Sequence, residues 1–155
     1  MATVDAVGRR GIPRVRASTA VDYWTLTKPD VNVLIVVATG AGFYLGCPTS
    51  LDAFPVARLA HTVLGTLLLA SGAATLNQYV ERRFDAQMRR TARRPLAAGR
   101  VDARAALRFG VLLTCTGTLY LAAAVGTLAS LLGVVTVASY LGIYTPLKRK
   151  TPLCT

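Results

Sequence analysis

The sequence predicts an all-α fold, a polytopic bundle of transmembrane helices, on three observations. Charge is scarce: Asp, Glu, Lys and Arg supply 16% of the residues, against about 25% in typical soluble domains. Charged side chains are absent from long runs, above all 109–147, bounded by Arg108 and Lys148. Finally, the 18 Lys and Arg residues outnumber the 7 Asp and Glu, and nearly all of them fall in three segments. A hydrophobic share of 53% excludes a disordered or collagen-like chain. Cys47, Cys115 and Cys154 form no C-x-x-C pair, so neither a disulfide framework nor a zinc module is indicated. A soluble nucleic-acid binder would account for the net charge of +11 but not for the uncharged runs, and no nucleic-acid partner is expected. A soluble helical protein built from such segments would lack a polar outer face.

Residues 1–22 form a basic arm with Arg9, Arg10, Arg14 and Arg16 and no apolar core, unlike a secretory signal peptide. Arg-rich and acid-poor, the arm faintly resembles a mitochondrial transit segment, but it reads equally as a cytoplasmic flank of the first span. Residues 23–155 form the bundle. Tyr23 and Trp24 read as interfacial belt residues. The first span covers about 31–47 and carries Gly40, Gly42 and Gly46, which suit close helix packing in a bilayer. The second covers about 59–80, with His61, Asn77 and Gln78 as its strongly polar side chains. As one helix, 109–147 would measure about 58 Å, nearly twice the hydrocarbon thickness of a bilayer. It must fold back near Gly126, giving spans of about 109–125 and 127–144.

The segment before span one, including Lys28, the loop 81–108 and the segment after span four hold every basic residue except Arg58. Four spans put those three segments on one side, and the positive-inside rule makes that side cytoplasmic. A bacterial inner membrane is the expected location, a mitochondrial inner membrane the alternative.

The second span ends in Asn77, Glu81 and Asp85, spaced i, i+4, i+8. On a helix they form one stripe about 12 Å long. Carboxylates near a bilayer are costly unless they meet a cavity, a cation or a partner, and hard oxygen ligands at this spacing suit Mg²⁺, whose shell water and phosphate complete. Arg89, Arg90, Arg93 and Arg94 follow, and guanidinium groups grip phosphate oxygens in bidentate fashion. A metal on one side and arginines on the other would hold a diphosphate. Spacing alone also admits a plain structural arrangement, with Glu81 and Asp85 pairing with Arg82, Arg89 or Arg93 at the water interface.

At these residues the chain resembles the intramembrane aromatic prenyltransferase superfamily and, within it, the heme-directed protoheme IX farnesyltransferase family. Asn77, Glu81 and Asp85 match its N-x-x-x-[DE]-x-x-x-D motif; Met88, Arg90, Thr91, Arg94, Pro95 and Leu96 match M-x-R-T-x-x-R-P-L. Asp22-Tyr23 with Leu26-Thr27-Lys28-Pro29 is similar to the entry to the family's first helix, and Tyr144 through Arg149 with Thr151 to its Y-T-P-L-K-R-x-T segment. Asp30 stands where the family often has a basic residue.

The resemblance implies a bundle of about nine helices, of which four lie here. It implies farnesyl diphosphate and heme b as substrates and Mg²⁺ as cofactor, held by Asn77, Glu81 and Asp85. Arg90, Arg94, Lys148 and Arg149 would hold the diphosphate, while Lys28 and Tyr144 would line the cavity. Ionisation would release diphosphate and leave an allylic cation; the 2-vinyl group of heme b would attack it, and water would capture the resulting carbocation to give the hydroxyethylfarnesyl group of heme O. Membrane proteins of the heme pathway or of oxidase assembly are the implied partners, within the lipid bilayer. The family's second Asp-rich motif has no counterpart before Thr155, so the 155-residue chain is expected to be inactive alone. Two other readings are a prenyltransferase for quinone precursors or other aromatics, and a non-catalytic module whose basic loop contacts anionic lipid. For His61, an interhelical hydrogen bond or an interface position is expected, with a heme ligand as the alternative.

Overall fold

The computed structural model describes residues 19–47 and 54–148. Two helices meet at a sharp turn near the start: α1 (Ala20–Leu26) and α2 (Pro29–Gly46). Pro29 has no N–H to continue α1 and is well suited to a first helical turn. Between the helices Lys28 adopts φ 53°, ψ 67°, the left-handed region that costs a residue with a Cβ about 1–3 kcal/mol. Thr19 and Asp22 close the N-terminus of α1 as a capping box.

The axis of the molecule is α3 (Val56–Asp85), about 45 Å long at 1.5 Å per residue and so longer than the hydrocarbon core of a bilayer is thick. It begins before the uncharged run and continues past it, carrying the Asn77–Asp85 stripe to one end of the bundle, the basic end. Antiparallel to it runs α4 (Ala103–Ala124), started by Asp102, whose Oδ2 accepts from Ala105 N at 2.9 Å. The two backbones touch. A Cβ on Gly72 would lie 2.7 Å from Thr114 N, and one on Gly117 2.7 Å from Leu69 N, the small-residue packing that membrane helices use.

At the opposite end the chain reverses at Gly126, whose φ of 144° is a conformation that L side chains rarely adopt. It returns as α5 (Thr127–Ser139), a π-helical turn (Tyr140–Tyr144) and the short α6 (Thr145–Leu147). Arg58 Nη2 donates to Val125 O at 3.1 Å beside the reversal.

Two expectations are corrected. Gly40, Gly42 and Gly46 mediate no close packing among the described residues, since a Cβ on any of them meets nothing within 4 Å, although α2 meets α3. The close-packed glycines are Gly65 and Gly72 of α3, Gly110 and Gly117 of α4, and Gly133 of α5, which meets the Leu69 side chain. Tyr23 is also more than a belt residue. Its ring meets Phe109 edge-on at 5.1 Å and packs on a cluster of Leu26, Leu96, Val101 and Ala106, which joins α1 and residues 86–102 into a cap over the basic end. Trp24 remains exposed. Four helical stretches, Pro29–Gly46, Val56–Asp85, Ala103–Ala124 and Thr127–Leu147, are long and apolar enough to cross a membrane, and their outward faces carry exposed Leu34, Leu45, Leu119 and Leu128. His61 Nδ1 lies 2.6 Å from Tyr120 Oη, an interhelical hydrogen bond.

Candidate functional site

The site is built where α3 emerges at the basic end. Asn77, Glu81 and Asp85 are buried, at 1%, 6% and 3% exposure, which for carboxylates demands partners. Asn77 Nδ2 donates to Glu81 Oε2 at 3.0 Å. Lys148 Nζ reaches Glu81 Oε1 at 2.6 Å, and Arg94 Nη1 reaches Asp85 Oδ2 at 2.7 Å. Both carboxylates are therefore neutralised by cations from outside α3, rather than by the nearer Arg82, Arg89 or Arg93. Arg82 instead lies 4.2 Å over the ring of Tyr79 and donates to Tyr79 O.

Local folding explains how those cations arrive. After Asp85 the chain leaves the helix, and the hydroxyl of buried Thr91 donates to Asp85 O at 2.9 Å, satisfying a carbonyl at the helix end. Pro95 and Leu96 are buried, and Gly99 turns the chain at φ 68°. Arg94 is thus fixed facing Asp85. On the other side, the π turn gives a wider step, a feature often found at functional sites, and delivers Thr145 to α3: its Oγ1 donates toward Asn77 Oδ1 at 2.9 Å and lies 2.8 Å from Tyr140 O. Lys148 follows one turn later, its Nζ 5.6 Å from the Tyr144 ring.

Lys28 completes the group. Burial holds its ammonium below the usual lysine range, and repulsion from Arg94 and Lys148 adds to this effect, against the attraction of Glu81 and Asp85. Below it opens a cavity of about 470 Å³. Its floor is α3 with Leu69, Ala70 and Ala73, and its walls are α2 with Ile35 and α5 with Leu132 and Val137. Tyr140 lines it beside Lys28, whereas Tyr144 is exposed and stacks on Tyr140 at 5.6 Å.

Of the site residues read from the sequence, Asn77, Glu81, Asp85, Arg94, Lys148 and Lys28 come together. Arg90 does not: it is exposed and makes no ion pair or side-chain hydrogen bond among the described residues. Arg149 lies outside the described residues. Tyr140, Thr145 and Thr91 were missed in these roles, although Thr91 and Thr145 stand within the quoted motifs. Tyr140 had only its i, i+4 spacing from Tyr144 to signal it.

The donor set suits a hard divalent cation. Each carboxylate has lone pairs beyond those its cationic partner takes, and Mg²⁺ needs only one or two carboxylates when water and phosphate complete its shell.

Residues 33–155 match the model of the UbiA prenyltransferase family. The chain belongs to that family. Among curated proteins it is similar to a protoheme IX farnesyltransferase of Salinibacter ruber, 52% identical over 130 residues, covering 84% of this chain and 45% of that protein. A protoheme IX farnesyltransferase of Solibacter usitatus is 47% identical over 136 residues, 84% of this chain and 47% of that protein. A mitochondrial protoheme IX farnesyltransferase of Arabidopsis thaliana is 35% identical over 133 residues, 86% of this chain and 30% of that protein. The chain thus spans about half the length, or less, of the relatives it matches. No solved structure matches. As a UbiA family member with four helices able to cross a bilayer, it is an integral, multi-pass membrane protein.

Proposed function

We propose that the protein, with the remainder of a UbiA-type bundle, transfers the farnesyl group of farnesyl diphosphate to the 2-vinyl group of heme b, yielding heme O. The observation that carries this reading is the ion-paired stripe of Glu81–Lys148 and Asp85–Arg94 above an apolar cavity. The names of the relatives, protoheme IX farnesyltransferases, supply the acceptor.

In this reading the pairs are a resting arrangement that exchanges partners. Arg94 and Lys148 turn from carboxylate to phosphate oxygens and Lys28 joins them there, leaving Glu81 and Asp85 to face a divalent cation, with Asn77 offering the remaining lone pair of Oδ1. Mg²⁺, when bound, neutralises the diphosphate and stabilises it as a leaving group. The three cations stabilise the same developing charge from fixed positions, which is where electrostatic catalysis gains most. The cavity holds the farnesyl chain away from water, and the Tyr140 ring at its upper end suits a developing allylic cation. The basic end faces the cytoplasm, or the matrix in a mitochondrion, by its concentration of arginine.

The test replaces the matching segment of the Salinibacter ruber relative with this chain, in lipid nanodiscs with heme b, an aromatic quinone precursor as competing acceptor, farnesyl diphosphate and Mg²⁺. Heme O by mass spectrometry is expected. Transfer to an aromatic quinone precursor with heme b untouched would replace this reading, and lipid binding without diphosphate release would end the enzymatic one.

A further inference from the structure

A ladder of buried side chains grips the turn between α1 and α2. Gln78 Nε2 donates to Leu26 O at 2.9 Å, and Thr75 Oγ1 lies 3.4 Å from the same oxygen. Asn32 Nδ2 lies 3.1 Å from Thr27 O and 2.9 Å from Ser71 Oγ. Leu26 and Thr75 are fully buried and Gln78 is 2% exposed. Carbonyls at a helix end need partners, and α3 and α2 supply them with side chains instead of water. The residue that follows this grip is Lys28, the sole non-glycine among the described residues at positive φ.

The second half of the Gln78 amide is the telling part. Its Oε1 is buried and has no hydrogen-bond partner among the described residues. A buried polar atom left unpaired is costly. Gln78 lines a cavity of about 380 Å³ together with Thr25, Lys28 and Arg94, all of which carry donors. The nitrogen of the amide holds the turn while its oxygen is left unpaired, in a residue that shares a cavity with Lys28 and Arg94.

We infer that Gln78 is a positioning residue for Lys28: through Leu26 O it holds the left-handed turn, and through Oε1 it offers the acceptor that steers the Lys28 ammonium into the site. The placement of Lys28 follows from the clamp alone; its use for diphosphate rests on the function proposed above.

The chain has three lysines, Lys28, Lys148 and Lys150, so reductive ¹³C-dimethylation in lipid nanodiscs gives a small set of NMR signals, assignable by Lys→Arg substitution. The Lys28 signal is expected to stand apart from that of free dimethyl-lysine in the same buffer. In Gln78→Met it should move to the free position while the Lys148 signal, held by Glu81, stays. A wild-type Lys28 signal that coincides with free dimethyl-lysine, or one that Gln78→Met leaves in place, overturns the inference. If Lys28 and Lys148 move together, Gln78 has only a general structural role, which also overturns it. Adding inorganic pyrophosphate with Mg²⁺ separates the two readings: a Lys28 signal dependent on Gln78 yet indifferent to pyrophosphate would leave the positioning role standing and count against the diphosphate site.

Discussion

Lys148 and Glu81 meet at 2.6 Å although they lie in different spans, Glu81 near the end of α3 and Lys148 just after α6. Their ion pair closes a chain that runs from Thr145 through Asn77 to Glu81 and ties the helical stretch ending at Leu147 to α3.

Removing one member of this pair is expected to cost more than removing both. Lys148→Met leaves Glu81, only 8% exposed in its side chain, without its counter-charge, and should destabilise the protein by about 1–3 kcal/mol. Lys148→Met with Glu81→Gln should recover much of that loss. Denaturation midpoints in detergent micelles check this, and equal losses for single and double variants would contradict it.

The α3–α4 contact predicts a contrast among glycines. A Cβ at Gly117 would stand 2.7 Å from a backbone nitrogen, whereas at Gly42 it meets open space. Gly117→Ala should lower stability by about 1–3 kcal/mol, and Gly42→Ala should be neutral or stabilising by up to about 1 kcal/mol. Thermal unfolding of the two variants side by side decides it.

Acid should loosen the cap before the bundle. Asp22 accepts from Arg100 Nε at 2.8 Å, and this hydrogen bond holds its carboxyl below the ordinary 3.8. A depressed folded value means that the contribution is fully present above the unfolded pKa and is lost as pH falls through the folded one. Hydrogen exchange in α1 should therefore rise below about pH 4, and Asp22→Asn should show the faster exchange already at neutral pH, with little further acid dependence.

Among the arginines of the loop, function should follow contact. Arg94→Ala is expected to reduce prenyl transfer in the Salinibacter chimera by about 10²–10³-fold, the usual loss for one aimed electrostatic group. Arg90→Ala, exposed and unpaired among the described residues, should change it less than about threefold, since surface charges away from such features contribute little. Equal losses would mean that Arg90 moves into the site when substrate arrives.

The span-forming segments and the acidic stripe were legible because they rest on chain-local periodicity: uncharged runs set the helices, and i, i+4, i+8 spacing set one face. Partner choice was not. Arg93 and Arg94 are neighbours in sequence, yet only Arg94 reaches Asp85, a selection made by buried Thr91, Pro95 and Leu96. Likewise, the glycines of α2 and those of α3 look alike in sequence. Only the identity of the neighbouring helix separates Gly42, with nothing nearby, from Gly72, pressed against Thr114.

That glycine seam divides the cavity's boundary mechanically. The floor belongs to a hairpin in which backbones touch, where any separation forfeits many contacts at once. Among the described residues the walls, α2 and α5, meet the floor over far less of their surface than α4 does. The α3 carboxylates therefore take their register from α4, and the charged end of the cavity is set by the hairpin rather than by its walls.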